Sequence, residues 1–205
     1  MLSQQSQIAS CAACAQTCKS IIGRYRQSGS AIYDQFRYQY DFRSGQNMPF
    51  SRNGRVGFFC IASGYVRLNC KSGCTYRAVR ISGPGDIVGY VNFLSSNYTA
   101  TAIDAVTACF FDLEIFFMLQ SQTPELSRSA IKWLCELITV RDERILTLGS
   151  RTAKAKVAST FLSLAKKFGQ TGHDGSIRIT PTIDRRTLAE LSGTVMETFS
   201  RVVTE

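Results

Sequence analysis

The segment 184–201 constrains the fold of this 205-residue chain more tightly than any other part of the sequence. Ala189 is followed four positions later by Gly193 and six positions after that by Phe199. A small residue lets two helices cross closely, a glycine permits a turn with positive φ, and a large apolar residue returns the second helix to the core. Asp184 can cap the first helix through its side chain. This spacing predicts a helix-turn-helix, with an ordinary helical hairpin as the alternative.

The second helix of this motif carries side chains that can read base edges in a major groove. The candidate DNA contacts are Arg185, Thr194, Met196, Glu197, Ser200 and Arg201. Arginine can bind guanine bidentately, and glutamate can accept a hydrogen bond from cytosine N4. The net charge of +9 suits a polyanionic partner, although a merely basic soluble protein would have it too. Double-stranded DNA is the predicted partner.

The sequence of residues 32–118 is typical of strands and turns. Glycines recur between short β-branched and aromatic runs, such as 56–61, 65–68 and 76–81. Short strands separated by turn residues predict an antiparallel sandwich or barrel. Within this region the run GPGDIVG at 83–89 predicts a tight corner.

The apolar period changes to a helical one between residues 124 and 149. An a/d heptad seam is formed by Ile131, Leu134, Ile138, Arg141, Ile145 and Leu148. Pro124 suits the first turn of a helix, and Gly149 is placed to end it. Such a helix predicts a twofold homodimer that pairs along the seam. The charge of Arg141 is either neutralised by Asp142 or Glu143 of a partner or carried to solvent.

Residues 30–205 resemble the Crp–Fnr superfamily of bacterial regulators in the order of four features. These are a Gly-rich β region, the corner at 85–89, a dimer helix and a recognition helix. The chain looks most like the fumarate-and-nitrate-reduction branch, whose recognition helix carries Glu, Thr, a hydrophobic residue, Ser and Arg in series, as 197–201 does. The resemblance implies TTGAT-like half-sites rather than TGTGA, and RNA polymerase as a further partner. Members usually continue into a β-hairpin wing, so a chain ending at residue 205 is expected to lack it and to bind its operator more weakly.

The resemblance implies an α+β fold in four parts. They are a Cys-rich segment at 1–22, a jelly-roll β-roll sensor domain at 23–122 of the kind that binds cyclic nucleotides, a dimerisation helix at 123–150 and a winged helix-turn-helix domain at 151–205. In the last part, residues 152–168 predict another helix and 176–180 a short strand.

The same branch senses oxygen through a [4Fe–4S] cluster held by three N-terminal cysteines and one late in the β-roll. By this resemblance the ligands are Cys11, Cys14, Cys18 and Cys109. Cys14 and Cys18 enclose three residues where the family usually leaves five or six. Zinc bound by the same thiolates, or reduced thiols with no cofactor, are therefore alternatives. The remaining cysteines, at 60, 70, 74 and 135, are interpreted as core or surface thiols.

The sequence lacks the residues that other functional classes require. A cyclic-AMP site in this superfamily needs a Glu shortly after the corner and an Arg-Ser pair further on, and 90–102 contains neither. His173, the only histidine, lies in a Gly-rich loop and is expected to be solvated, which disfavours haem. No Ser/His/Asp order, P-loop or nucleotide fingerprint is present, so the protein is predicted not to be an enzyme. A Crp–Fnr-fold sensor module without a cluster and with weak or no DNA binding is the alternative function.

The location follows from two further patterns. Residues 1–20 lack the basic start and apolar run of a signal peptide. The most apolar stretch, 100–119, is interrupted by Asp104, Asp112 and Glu114, which are too costly for a membrane span. A cytoplasmic protein without membrane contact is predicted.

Overall fold

The computed structural model describes residues 37–52, 54–89, 97–150 and 152–204. The first part of this range is a run of antiparallel strands. In chain order they are β1 Arg37–Phe42, β2 Asn47–Met48, β3 Ser51–Arg52, β4 Arg55–Ser63, β5 Val66–Ser72, β6 Thr75–Ser82, β7 Ile87–Val88, β8 Tyr98–Ala102 and β9 Val106–Asp112.

The strands form two sheets with a shared core. One sheet has the order β1-β9-β4-β3, with β7 added to β4, and the other has the order β2-β8-β5-β6. Buried side chains from both sheets, among them Phe59, Val66 and Ala100, form one apolar cluster. Alternate residues on β4 and β9 point to opposite faces of the first sheet. Phe58 and Phe59, neighbours on β4, are both buried in separate apolar clusters, so both faces of the sheet are covered. The predicted β-roll within an α+β fold is confirmed.

The outer face of the first sheet is covered by a helix that the sequence pattern did not predict. Helix α1 spans Leu113–Gln122 and buries Phe116 and Leu119 against Phe58 of the sheet. Its N-terminus is fixed by the Asp112 side chain, which accepts hydrogen bonds from the N–H groups of residues 114 and 115. The prediction of strand and turn as far as residue 118 is therefore wrong over 113–118, because this cap ends the strand.

The remaining helices follow the predicted periodicity. Helix α2 spans Pro124–Ser150 and α3 spans Ala153–Phe168. Strands β10 (Gly169–Thr171) and β11 (Ile177–Ile179) form a hairpin, and α4 (Arg185–Leu191) and α5 (Met196–Thr204) follow it. Gly149 lies inside α2 and does not end it as predicted, since a helical glycine costs only about 1 kcal/mol relative to alanine. No helix within the described ranges is long and apolar enough to cross a membrane.

Candidate nucleic-acid interface and sensor thiols

The turn between α4 and α5 depends on a cap and on a glycine. The Asp184 carboxylate accepts hydrogen bonds from the Thr187 N–H at 2.8 Å and from the Thr187 hydroxyl at 2.7 Å. Burial would raise the pKa of Asp184, but these bonds and the nearby Arg67 guanidinium outweigh it and lower the pKa. Gly193 has a φ of +61°, and a Cβ there would come within 2.7 Å of the Leu148 side chain. Both features predicted from the sequence are confirmed, and the close approach to α2 is a second reason for glycine.

Helix α5, the predicted recognition helix, is held in place by its buried face. Phe199 is 1% exposed and packs with Val157 of α3 and Ala189 of α4. The Phe161 ring stacks on Phe199 with the ring centroids 6.2 Å apart. Because an isolated helix of nine residues is marginal in water, this packing fixes the orientation of α5.

The opposite face of α5 is open to solvent. Met196, Glu197 and Arg201 are exposed, and Ser200 is half-buried. Glu197 and Arg201 are four residues apart and so lie on one side of the helix, away from Phe199. Of the other two predicted contacts, Arg185 is exposed at the start of α4 and Thr194 is half-buried in the turn. The six predicted contacts thus lie within the two helices and the turn of one motif.

Helix α2 presents an apolar row to solvent. Ile131, Ile138 and Ile145 are 61%, 57% and 66% exposed. Of the other seam positions, Leu134 and Leu148 are half-buried and Arg141 is exposed. Leu148 also meets the turn at residue 193, so it contacts the helix-turn-helix of its own chain. The pairing of two copies along this row stays a prediction.

Cys109 is the one predicted cluster ligand within the described residues, since Cys11, Cys14 and Cys18 lie outside them. It is 5% exposed, on the face of the sheet that α1 covers. The Arg37 guanidinium, itself 2% exposed, donates a hydrogen bond to the Cys109 Sγ at 3.4 Å. Within the described ranges no group of three or more His, Cys, Asp or Glu side chains could hold a metal ion.

Cys60 is a neighbour of Cys109 that sequence reasoning missed. The two residues are directly opposite in the β4–β9 pairing, so their side chains lie on the same face, and neither forms a disulfide. The next strand continues the row, because Cys60 pairs with Ile87 of β7. Their separation of 49 positions gave no sequence signal, since only the strand register brings Cys60 and Cys109 together.

Proteins of one superfamily resemble this chain along most of its length. The nitrogen fixation regulation protein FixK of Azorhizobium caulinodans is 25% identical over 171 residues, covering 78% of this chain and 68% of FixK. The transcriptional activator protein FnrL of Cereibacter sphaeroides is 22% identical over 197 residues, covering 94% of this chain and 79% of FnrL. The structure of FixK2 from Bradyrhizobium japonicum superposes with a TM-score of 0.68 at 18% identity, over 82% of this chain and 83% of that protein. No family profile matches the chain.

FixK2 superposes over 82% of this chain, so the two proteins share its overall fold. The chain is a Crp–Fnr transcription regulator. In this Crp–Fnr protein the Gly-Asp-Ile-Val-Gly corner has a clear structural role. Asp86 accepts a hydrogen bond from the Gly83 N–H at 2.8 Å, and Gly89 takes a φ of +101° against the Phe50 ring.

The helix-turn-helix of this Crp–Fnr chain is docked on its own β-roll. The Glu190 carboxylate accepts a hydrogen bond from the Ala78 N–H at 2.8 Å. The Arg67 guanidinium donates to the Thr187 hydroxyl at 3.0 Å, and Lys167 pairs with Asp86 at 2.7 Å. An apolar cluster shared by the two parts lies beside these bonds. It consists of Ala78, Ile81, Leu164, Phe168 and Leu191.

Arg144 joins three parts of the molecule at this interface. Its guanidinium, on α2, donates to the carbonyl of Val79 on β6 and, at 2.9 Å, to the carbonyl of Leu191 on α4. Burial lowers the pKa of Arg144, since a desolvated guanidinium is less stable in its charged form. The connecting helix is thus bonded to both the roll and the helix-turn-helix through one side chain.

Proposed function

We propose that this Crp–Fnr regulator binds a palindromic operator as a dimer through α5, with TTGAT-like half-sites. The observation that carries the proposal is the pattern of burial along residues 197–201. Glu197 and Arg201 are exposed for base contacts while Phe199 anchors the helix in the core. A twofold dimer along α2 would place two recognition helices about 34 Å apart, one turn of B-DNA. RNA polymerase would be the further partner at the promoter.

Fluorescence anisotropy on three labelled duplexes tests this proposal at one fixed salt concentration. The duplexes are a TTGAT palindrome, a TGTGA palindrome and a scrambled sequence of the same composition. We expect the TTGAT duplex to bind most tightly, by a factor of about 10³ or more over the scrambled one. Equal affinity for all three would contradict specific DNA recognition and favour a sensor module that does not bind DNA. Preference for TGTGA would contradict the assignment to the fumarate-and-nitrate-reduction branch.

We also propose that the protein responds to oxygen through a [4Fe–4S] cluster bound by Cys11, Cys14, Cys18 and Cys109. The described part of this donor set supports the proposal. The Arg37 guanidinium places positive charge against the Cys109 sulfur, which suits a thiolate, the form that ligates iron. Such a cluster supplies an oxygen-labile centre. The protein's own contribution is a buried thiol in a row of side chains that reaches the corner at residue 87.

Absorbance of anaerobically purified protein, with iron and zinc analysis, tests the cluster. We expect broad absorbance near roughly 400 nm that bleaches in air, as thiolate-ligated iron–sulfur clusters show. Cys109→Ser should abolish it, while Cys135→Ser, an exposed thiol on α2, is the matched control. Cys60→Ser tests which of the two neighbouring thiols is the ligand. If the absorbance were lost in Cys60→Ser and kept in Cys109→Ser, the fourth ligand would be Cys60. Colourless protein with stoichiometric zinc would support the zinc alternative and contradict the cluster.

A further inference from the structure

Cys60 and Cys109 are two thiols that the strand register places directly opposite each other. Strands β4 and β9 pair without a shift in register from Gly57 to Ile61, and the two cysteines lie within this stretch. Opposed residues of an antiparallel pair have Cα atoms about 4.5–5.5 Å apart, and a disulfide spans Cα atoms about 4.4–6.8 Å apart. The backbone therefore already gives the two cysteines the spacing of a disulfide.

Both side chains lie on one face of the sheet. Cys109 is 5% exposed in the apolar cluster beneath α1, and the half-buried Cys60 packs against the same cluster. Phe58 and Phe111, two positions away on the two strands, belong to this cluster as well, as the alternation of a strand requires. The Arg37 Nη1 donates a hydrogen bond to the Cys109 Sγ at 3.4 Å, which fixes that sulfur on this face.

The other cysteines of the described ranges have no such arrangement. Cys70 lies opposite an arginine on one neighbouring strand and a tyrosine on the other. Cys74 is exposed between β5 and β6, and Cys135 is exposed on α2. Within those ranges, Cys60 and Cys109 are thus the one pair of cysteines opposed across two strands.

We propose that Cys60 and Cys109 form a redox dithiol, which a peroxide oxidises to a cross-strand disulfide. Cys60 is the more exposed of the two, so it reacts first. The peroxide transfers one oxygen to the Cys60 sulfur, which becomes a sulfenic acid, and one water leaves. The Cys109 sulfur then attacks the Cys60 sulfur, the S–O bond breaks, and the oxygen leaves as a second water with the remaining thiol proton. Two thiols and one hydrogen peroxide give one disulfide and two waters.

The disulfide changes the packing beneath two helices. An S–S bond of about 2.05 Å is much shorter than the contact distance of two sulfur atoms, so the opposed side chains must draw together. Leu119 of α1 and Leu126 and Ala130 of α2 belong to the same cluster, and Trp133 packs against it. Oxidation between β4 and β9 therefore alters the surroundings of the first turns of the connecting helix.

The disulfide also has a consequence that rests on the proposed function. A sulfur atom in a disulfide is not a thiolate and does not ligate iron. If Cys109 is a cluster ligand, the oxidised pair and the cluster exclude each other. Formation of the disulfide itself does not depend on a cluster, so it is tested in protein from which iron has been removed.

Peptide mapping of the full-length, iron-free protein after reduction and treatment with hydrogen peroxide tests the pair. Trypsin cleaves after Lys and Arg, which leaves Cys60 as the one cysteine of peptide 56–67 and Cys109 as that of peptide 81–128. We expect these two peptides to be linked in the main product, lighter by two hydrogen atoms than their sum, and separated again by a reductant. Cys135→Ser, at an exposed position on α2, is the control and should form the link as the wild type does.

A second variant tests the register. In Cys60→Ser with Ile61→Cys the thiol stays in peptide 56–67 but lies on the opposite face of the sheet, so it should form no link to Cys109. A link in this variant would show that the thiols meet in opened chains and would overturn the proposal. Two results on the wild type, which need no variant to fold, would also overturn it. They are a Cys109 linked to peptide 1–19, and a Cys60 and Cys109 that both stay reduced.

Fluorescence of Trp133, the only tryptophan of the chain, tests whether the change reaches α2. Its emission should change when the wild type is oxidised and return when the protein is reduced. In Cys60→Ser, given the same treatment, the emission should stay constant. Constant emission of the wild type in a sample that contains the linked peptides would overturn the effect on α2.

Discussion

Glu197 and Arg201 can be exchanged without disturbing the core, because Phe199 and Ala189 carry the packing of the motif. Their side chains project from α5 on the side opposite Phe199. Substitutions here therefore separate recognition from stability, which is rarely possible at buried positions.

The first prediction concerns Arg201. Arg201→Ala should weaken binding to the cognate duplex by about 1–3 kcal/mol and relax the preference at one guanine, with the melting temperature unchanged. Lys154→Ala, near the start of α3, is the comparison, because loss of a phosphate contact should weaken all sequences alike. Anisotropy titrations on specific and random DNA measure both. Equal losses on the two duplexes for Arg201→Ala would argue against a base contact.

The second prediction concerns the cap of α4. Asp184 has a pKa below its ordinary value of 3.8, so its charged form stabilises the fold above that pH. The contribution is lost as the pH falls through the lowered value in the folded state. Asp184→Ala should therefore destabilise near neutral pH, by about 0.5–2 kcal/mol as for other caps. Denaturant unfolding across the acid range should show the gap between the two proteins narrowing. A gap that stays constant into strong acid would mean that the carboxylate charge is unimportant.

Among the elements, α2 has an exposed apolar row that we expect a partner to cover. Three isoleucines spaced by seven residues are more than half exposed. The same helix buries Leu126 and Ala130 near its start against the sheet and α1, and it bonds through Arg144 to Leu191 of α4. A repeat of seven with apolar residues favours pairing of two such helices.

The third prediction follows from this row. Ile138→Glu should convert the dimer to a folded monomer with little operator affinity, since it buries a charge at the centre of the seam. Val140→Glu is the matched control, because residue 140 is as exposed but faces about 200° away around the helix. Sedimentation velocity distinguishes monomer from dimer. An unchanged dimer in Ile138→Glu, or dissociation in both variants, would place the interface elsewhere.

The elements were predictable where their signal was local. The period of α2, the Pro124 start, the Asp184 cap and the Gly193 turn all lie within a few residues of the structure that they specify. Helix α1 was missed because its apolar residues follow a buried strand without a change of hydrophobicity, and only the Asp112 cap separates the two.

The non-local features could not be read from the sequence. The register that brings Cys60 opposite Cys109 joins strands about fifty positions apart, and Arg37 reaches Cys109 from a third strand. The bonds of Arg144 to the Val79 and Leu191 carbonyls likewise depend on how α2 lies across the roll. Each of these contacts is fixed by tertiary packing, which local patterning does not encode.

At the scale of the whole molecule, the interface between the roll and the helix-turn-helix combines directional bonds with a shared apolar cluster. The fourth prediction is that Glu190→Ala loosens it. The change leaves the Ala78 N–H without its acceptor, at a cost of about 1–3 kcal/mol. Amide exchange should accelerate over 78–81 and 185–191 together, because both sides of the interface open at once.

Glu125→Ala, an exposed glutamate in the first turn of α2, is the control for this experiment and should leave those amides unchanged. Acceleration confined to 185–191 would show that α4 frays alone and that the roll does not depend on it. No acceleration at all would mean that the apolar cluster suffices to hold the two parts together.

The shared cluster also limits how this regulator can be recombined. Leu164, Phe168 and Leu191 on one side and Ala78 and Ile81 on the other bury each other. A chimera that joined this helix-turn-helix to a foreign sensor would keep the exposed face of α5 but uncover these side chains, unless a strand of the foreign sensor matched β6. We therefore expect that the two parts can be exchanged only together. A successful graft would have to carry β6 along with α4 and α5.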